Sequence, residues 1–241
     1  MKILHTSDWH LGKKLEHKSR QAEQERVMAE IVQIADDNEV NAVIISGDLF
    51  DSFTPPVEAL DLFYKTLKQL SKNGARAVVA IAGNHDSPER IEAPDPLARE
   101  CGIVLLGYPQ SKIKPFTLDT GLSITNSEEG FLEIRVPNIN VPLRLLITPY
   151  ANEFRLKKFL GHEDPDKALI NLLNEKWHEL ANRYCDTDGI NILAAHLYML
   201  KKGSSMFAEP DEEKSILHIG GANAIFTDII PPQVQYVALG H

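Results

Sequence analysis

The chain has 241 residues, of which 43% are hydrophobic and 24% charged, and its formal net charge is −9. Such a composition is typical of globular proteins, and no apolar run approaches the roughly 18 residues that a membrane-spanning helix needs. The acidic charge argues against nucleic-acid binding through a basic face, although it does not exclude a metal-dependent nuclease. Since two cysteines are too few for a disulfide framework and no secretory signal is recognisable, we expect one large cytoplasmic domain with no membrane association.

The first hundred residues show two rounds of strand, loop and helix. In chain order the pattern predicts a strand at residues 2–7, a helix at 20–38, a strand at 42–46, a helix at 54–74, a strand at 77–82 and two short helical turns between 87 and 101. Thr54 is expected to cap the second helix, whose apolar stripe has Val57 and Tyr64 among its members. The strands after the first are almost unbroken apolar runs, as expected of parallel strands covered on both faces.

The second half of the chain begins with a weaker pattern. Residues 103–141 combine short β-prone runs with turn residues, which predicts an antiparallel insertion. Beyond it we expect a strand at 143–148, a helix at 166–184, a strand at 190–195, a loop at 201–216 and a strand at 233–239. The alternation of strands and helices predicts the α/β class.

Five of the predicted strands end in residue types that bind divalent metals. These residues are Asp8 and His10, Asp48, Asn84 and His85, His196, and His241. Because loops at the carboxyl ends of strands in α/β sheets share one crevice, we expect these side chains to converge. Carboxylate, imidazole and amide oxygen together favour manganese, iron or zinc over calcium or magnesium.

Such a site suits phosphodiester hydrolysis. Two cations about 4 Å apart neutralise the phosphate, activate a water molecule and hold the in-line geometry of attack. Asp48 has two oxygens with which to bridge the ions, and His85, next to a candidate ligand, is the candidate general acid for the leaving oxygen. The sequence therefore predicts a two-metal phosphoesterase.

Four segments of the chain resemble the calcineurin-like metallophosphoesterases and, within them, the SbcD-type DNA nucleases of double-strand-break repair. They are residues 5–12 (HTSDWHLG), 46–51 (SGDLFD), 83–90 (GNHDSPER) and 236–241 (YVALGH). The resemblance implies a two-layered β-sheet sandwich flanked by helices, with His85 as the catalytic acid. It also implies one ion on Asp8, His10 and Asp48, and a second ion on Asp48, Asn84, His196 and His241.

The same resemblance implies partners and an activity. It indicates two manganese ions, with magnesium as the alternative, and a homodimer formed through helices near residues 55–72 and 88–101, with Leu60 and Phe63 in the contact. It further indicates pairing with an SbcC-type ATPase. The implied reactions, in DNA repair, recombination and replication, are exonuclease cleavage of double-stranded DNA and endonuclease cleavage of single-stranded or hairpin DNA.

One departure from the family pattern concerns the last motif, which is Gly-His-x-His. The sequence contains the first of these histidines, His241, and no residue after it. Residues 1–241 are therefore expected to be a metallophosphoesterase nuclease domain truncated before one ligand of the first metal and before the C-terminal capping region.

Several roles stay open at this point. Asp51 either supports a metal ligand or accepts hydrogen bonds from loop amides, and Arg90 either contacts a DNA phosphate or is simply solvated. Protein serine/threonine phosphatases are disfavoured because Ser52 and Asp86 stand where they carry arginine and glutamate. A phosphodiesterase or phosphatase of small phosphoesters and a non-catalytic dimeric scaffold for an ATPase remain the alternatives.

Overall fold

The computed structural model describes residues 1–157, 159–160, 164–201 and 225–241. Two β-sheets pack face to face, and helices cover the outer face of each. The predicted two-layered sandwich of the α/β class is therefore confirmed. All but the first residue of the predicted loop at 201–216 lies outside the described residues.

The secondary structure alternates along most of the chain. The strands are β1 Ile3–Thr6, β2 Lys14–Leu15, β3 Lys18–Ser19, β4 Ala42–Ser46, β5 Ala77–Ile81, β6 Ile103–Leu106, β7 Phe116–Thr117, β8 Ser123–Glu128, β9 Phe131–Arg135, β10 Leu143–Thr148, β11 Ile190–His196, β12 Met199–Leu200, β13 Ile225–Phe226 and β14 Tyr236–Gly240. The α-helices are α1 Gln21–Asp37, α2 Val57–Ser71, α3 Pro88–Glu92, α4 Asp95–Arg99, α5 Glu153–Leu156 and α6 Pro165–Tyr184. Single turns of 3₁₀ helix occupy Lys72–Gly74 and Thr227–Ile229.

The first sheet is fully parallel and has the strand order β1-β4-β5-β6. Every residue of β4 and β5 is buried, because one face packs against α1 and α2 and the other against the second sheet. This confirms the prediction that unbroken apolar runs form strands covered on both faces. The carboxyl ends of all four strands lie at the same edge.

The second sheet has the order β14-β11-β10-β9-β8-β7. Strands β10, β11 and β14 are parallel, whereas β7, β8 and β9 run antiparallel. Helix α6 covers the outer face through Leu173, Trp177 and Leu180. In the described part of the chain, no helix combines the length and hydrophobicity needed to cross a bilayer.

The predicted insertion at residues 103–141 is wrong in its organisation. Strand β6 is the fourth strand of the parallel sheet, and β7 to β9 complete the second sheet. The antiparallel direction itself is confirmed. The pattern misleads because β7 has two residues and a bulge between Ile124 and Asn126 interrupts the alternation in β8.

Helix α2 begins later and is rotated relative to its prediction. Pro56, not Thr54, occupies the N-cap position, and Val57 is 75% exposed. Phe63 is completely buried, with its ring against those of Trp9 and Phe50. The expected place of Phe63 in a dimer contact is therefore wrong, because its side chain fills the core of its own domain.

Candidate metal centre

The carboxyl ends of parallel strands from both sheets meet at one site. The loops after β1, β4 and β5 bring Asp8, His10, Asp48 and Asn84 from the first sheet, while β11 and β14 bring His196 and His241 from the second. A hydrogen bond from the Ser46 hydroxyl to the carbonyl of Ala238, 3.0 Å long, joins the two sheets just behind the site. All six expected ligands therefore converge, but at the shared edge of two sheets instead of the edge of one.

The loops after β1 and β4 run side by side and hold each other. The amides of Asp8 and His10 donate to the carbonyls of Gly47 and Asp48, both at 3.0 Å. Asp8, His10 and Asp48 have left-handed φ values of 54°, 43° and 47°. Such a conformation costs a non-glycine residue roughly 1–2 kcal/mol and persists where surrounding contacts enforce it, as they often do at functional sites.

Asp48 lies at the centre of the cluster and is only 3% exposed. Its Oδ2 is 3.7 Å from Nε2 of His10, and its Oδ1 is 3.4 Å from Nε2 of His196. The amide of His85 donates to Oδ1 at 2.9 Å. Burial opposes ionisation, but the contacts with His196 and His85 outweigh it and lower the pKa of Asp48 to about 2. The carboxylate is therefore ionised, and its two oxygens lie near histidines from the two different sheets.

The ring of His196 is fully buried and held at both nitrogens. Nδ1 lies 2.7 Å from the carbonyl of Ser46, which requires a proton on Nδ1. Nε2 then faces the amide oxygen of Asn84 at 3.0 Å and the carboxylate of Asp48. Burial lowers the pKa of His196, yet its contacts with Asp48 and Ser46 raise it overall. Nitrogen and oxygen donors that face one another in this way suit a cation between them.

His241 completes this side of the cluster. Its amide donates to both carboxylate oxygens of Asp8 at 3.2 Å, and its ring centre is 5.0 Å from that of His196. Burial lowers the pKa of His241 to about 4, so the ring is neutral and has a free lone pair. Its Nε2 is buried and has no hydrogen-bond partner among the described residues. Buried polar atoms are normally hydrogen-bonded, so a buried nitrogen that has no such partner and lies near carboxylates is typical of a metal ligand.

Two groups of potential ligand atoms share Asp48: one is Asp8, His10 and Asp48, and the other is Asp48, His196 and His241. A third group, His10, Asp51 and His85, shares His10 with the first. Within each group the atoms lie within 4.8 Å of one another. Asn84 adjoins the second group through its contact with His196. The residues present thus fit two divalent cations with mixed oxygen and nitrogen ligation.

His85 and Asp51 lie on the open side of these groups. Nδ1 of His85 is 3.1 Å from the carbonyl oxygen of Asp51, while Oδ1 of Asp51 is 3.5 Å from Nδ1 of His10. Asp51 therefore lies where it can orient both rings, and Nε2 of His85 is left for another partner. Arg90 is exposed on α3, and no contact in the described part of the chain joins its side chain to the cluster.

Two glycines permit the close approach of the loops. A Cβ on Gly83 would lie 2.1 Å from Oδ1 of Asp48, and one on Gly47 would lie 2.1 Å from Nδ1 of His196. Gly47 also has a φ of 89°. Any larger side chain at these positions would displace the two central ligands.

Two residues that were not predicted to belong to the site support it. The buried carboxyl of Asp86 accepts hydrogen bonds from the amides of Gly83, Leu49 and Phe50 at 2.7–3.0 Å, which joins the loops after β4 and β5. Burial raises the pKa of Asp86 to about 6, although the three amides act in the opposite direction. Arg155 contacts the same loop from α5. The position of Asp86 directly after His85 was a usable signal, whereas no local pattern indicates Arg155.

Comparisons with known proteins agree with this geometry. The model of the calcineurin-like phosphoesterase family matches residues 1–227. The chain is 36% identical over 245 residues to the SbcD subunit of nuclease SbcCD from Bacillus subtilis, covering 100% of the chain and 56% of that protein. It is 32% identical over 244 residues to the same-named protein of Rhodobacter capsulatus, covering 100% of the chain and 57% of the relative. The chain thus spans little more than half the length of these curated relatives.

Proposed function

Because the chain belongs to the calcineurin-like phosphoesterase family, we propose that it is a two-metal phosphodiesterase that cleaves DNA, the nuclease domain of an SbcD-type protein. The observation that carries the proposal is the convergence of two ligand groups on the shared carboxylate of Asp48. The relatives named as SbcD subunits of nuclease SbcCD, which align with the entire chain, support DNA as the substrate. Residues 1–241 would form this domain.

We assign the ligands to two ions, and the pairwise distances support the assignment. Asp8, His10 and Asp48 would hold the first ion. The second would be held by Asp48, Asn84, His196 and His241. Three imidazoles and an amide among the donors favour manganese over magnesium, which prefers oxygen ligands and retains water. When bound, the ions would neutralise the phosphodiester and activate the attacking water.

We infer that His85 donates the proton to the leaving oxygen. The carbonyl of Asp51 contacts Nδ1 of the ring, and the carboxylate of Asp48 accepts from the backbone amide, so His85 is held through both its ring and its backbone. Its Nε2 remains to carry the proton, and its partly exposed ring can be reached by substrate. A positioned general acid of this kind contributes roughly 10²–10⁴-fold to the rate.

The surroundings of the site suit a long anionic substrate. A cleft of about 380 Å³ begins at Asp8 and His10 and is lined further on by Lys13, Arg20 and Gln24. Arg20 is paired with Glu23, which also lines the cleft, at 2.7 Å, so Lys13 is the cationic side chain that supports this idea. It offers a contact for a phosphate next to the one that is cleaved, which a cyclic nucleotide does not have.

Partners follow from the same proposal. The relatives are named as subunits of a nuclease called SbcCD, which supports pairing of this chain with an SbcC-type ATPase. We also infer a homodimer formed through α2 and the α3–α4 segment. The exposed apolar side chains of Val57 (75%) and Leu97 (79%) on these elements support that surface.

The test is cleavage of linear duplex, single-stranded and hairpin DNA in the presence of manganese. We expect cleavage of DNA and a loss of at least about 10²-fold in His85→Gln, with the same number of bound ions in both proteins. His178→Gln, a substitution on α6, is the matched control and should retain full activity. Faster turnover of cyclic nucleotides than of DNA would favour the small-substrate alternative, and absence of bound metal would favour the scaffold.

A further inference from the structure

Arg155 is a buried arginine whose guanidinium binds backbone instead of a carboxylate. It is 3% exposed and donates to the carbonyls of Gly83, Asn84 and Asp86 at 2.7, 3.2 and 2.8 Å. These carbonyls belong to the loop that carries Asn84 and His85. One side chain from α5 thus holds three of the four peptide groups of that loop.

The guanidinium is itself tightly placed. Its carbon lies 5.1 Å from the ring centre of Tyr150 and 5.9 Å from that of Phe53. The side chain of Asn152 caps α5 by accepting from the amide of Arg155 at 2.8 Å. A planar fork with several fixed donors can bind three carbonyls at once, whereas the compact ammonium of lysine cannot span them.

The peptide between Asn84 and His85 is held from two directions. Its carbonyl accepts from Arg155, and its amide donates to Oδ1 of Asp48 at 2.9 Å. The preceding peptide, between Gly83 and Asn84, is held by Arg155 as well. The backbone on both sides of Asn84 is therefore fixed, and this directs the Asn84 amide oxygen toward Nε2 of His196.

We propose that Arg155 is a positioning residue for the second ion, which it serves by fixing the peptide groups that present Asn84 and His85. The inference rests on the proposed two-metal function. Arg155 has no described hydrogen bond to Asp8 or His10, and its hydrogen bonds reach the shared Asp48 only through the amide of His85, so its loss should weaken the second site far more than the first. Loss of a side chain that orients metal ligands typically lowers metal affinity 10–100-fold.

Arg76 is a matched control within the same fold. It is 2% exposed and donates to the carbonyls of Val40, Leu70 and Ala35 and to the carboxylate of Asp36. It lies just before β5, at the end of the strand opposite the loop of Asn84. Truncating it removes a comparable set of buried hydrogen bonds far from the ions.

The experiment is calorimetric titration of manganese into the wild type, Arg155→Ala, Arg155→Lys and Arg76→Ala, with thermal unfolding recorded in parallel. In the wild type we expect two bound ions. In Arg155→Ala we expect at least about a tenfold loss at one site, less than about a threefold change at the other, and partial recovery with guanidinium at a non-denaturing concentration. Arg76→Ala should unfold at a lower temperature but bind both ions as the wild type does.

Equal weakening of both sites in Arg155→Ala, or unchanged binding at both, would overturn the role of Arg155. If Arg155→Ala does not fold, Arg155→Lys supplies the same comparison, because it keeps the charge but loses the fork. A wild type that binds fewer than two ions would instead refute the proposed function, and with it the inference. The number of ions bound by the wild type thus tests the two-metal function, and the difference between the sites in the Arg155 variants tests the role of Arg155.

Discussion

The backbone amide of His85 donates a hydrogen bond of 2.9 Å to the carboxylate of Asp48, the residue shared by two ligand groups. The candidate acid is therefore joined directly to the candidate bridging ligand. We predict that Asp48→Asn reduces the manganese retained after dialysis from two ions to fewer than one, as measured by mass spectrometry. Asp61→Asn, at an exposed aspartate of α2 that pairs with Lys65, is the control and should retain both ions. Retention of two ions by Asp48→Asn would contradict the assignment.

Asp86 is predicted to be a major source of stability at the site. Asp86→Ala leaves the amides of Gly83, Leu49 and Phe50 without their acceptor, and each such loss costs about 1–3 kcal/mol. We expect the free energy of unfolding in urea to fall by at least about 3 kcal/mol. Asp61→Ala, which removes an exposed ion pair with Lys65, is the control and should change it by less than about 1 kcal/mol. Similar losses in both variants would argue against this role.

The proposed dimer leads to a substitution test on its exposed residues. We predict that Val57→Glu combined with Leu97→Glu converts a dimer into a monomer of 26.9 kDa, because charges would be buried in an apolar contact. Light scattering coupled to gel filtration measures the mass. Val27→Glu, at a side chain 50% exposed on α1, is the matched control and should leave the dimer intact. An unchanged mass in the double variant would exclude this surface.

The ion pairs of Arg144 with Glu133 and Asp186 predict a pH dependence of stability. Burial opposes ionisation of Glu133, but hydrogen bonds from Arg144 and Thr125 outweigh it and lower the pKa of Glu133. The hydrogen bond from Arg144 likewise lowers the pKa of Asp186. Groups with depressed pKa values stabilise the fold above their ordinary pKa of about 4 and lose that contribution as the pH falls through the lower folded value.

Arg144→Gln should therefore unfold at a lower temperature than the wild type above about pH 5, and the difference should narrow below about pH 4. Scanning calorimetry from pH 7 to pH 3 measures it. Arg183→Gln, which breaks exposed pairs with Glu128 and Glu179, should show a small difference at every pH. A gap for Arg144→Gln that stays constant over this range would refute the linkage.

Local sequence patterns were sufficient for the strand ends that lead into the candidate ligands. Periodicity and turn residues are properties of neighbouring positions, so the ends of β4 and β11 were predicted to within one residue. The residues after these ends project from the sheet edge whatever the rest of the chain does. The expected ligands consequently converge, although binding of ions to them stays a prediction.

The same local patterns could not predict which distant segments contact one another. Nothing local distinguishes a strand of the first sheet from one of the second, which is why β6 and β8 were misplaced. The burial of Phe63 depends on the rings of Trp9 and Phe50, and the contacts of Arg155 cross 69–72 residues. Such contacts are set by how the layers dock, and periodicity within one segment carries no information about docking.

The candidate ligands are divided between two sheets, so metal binding would depend on how completely the chain has folded. His196 and His241 come from the second sheet and the other four candidate ligands from the first. A polypeptide in which only one sheet has formed would offer an incomplete set, so tight uptake of the second ion would require both halves to have docked. Manganese would then bind tightly only to the fully folded chain and would stabilise it relative to intermediates in which one sheet has not formed.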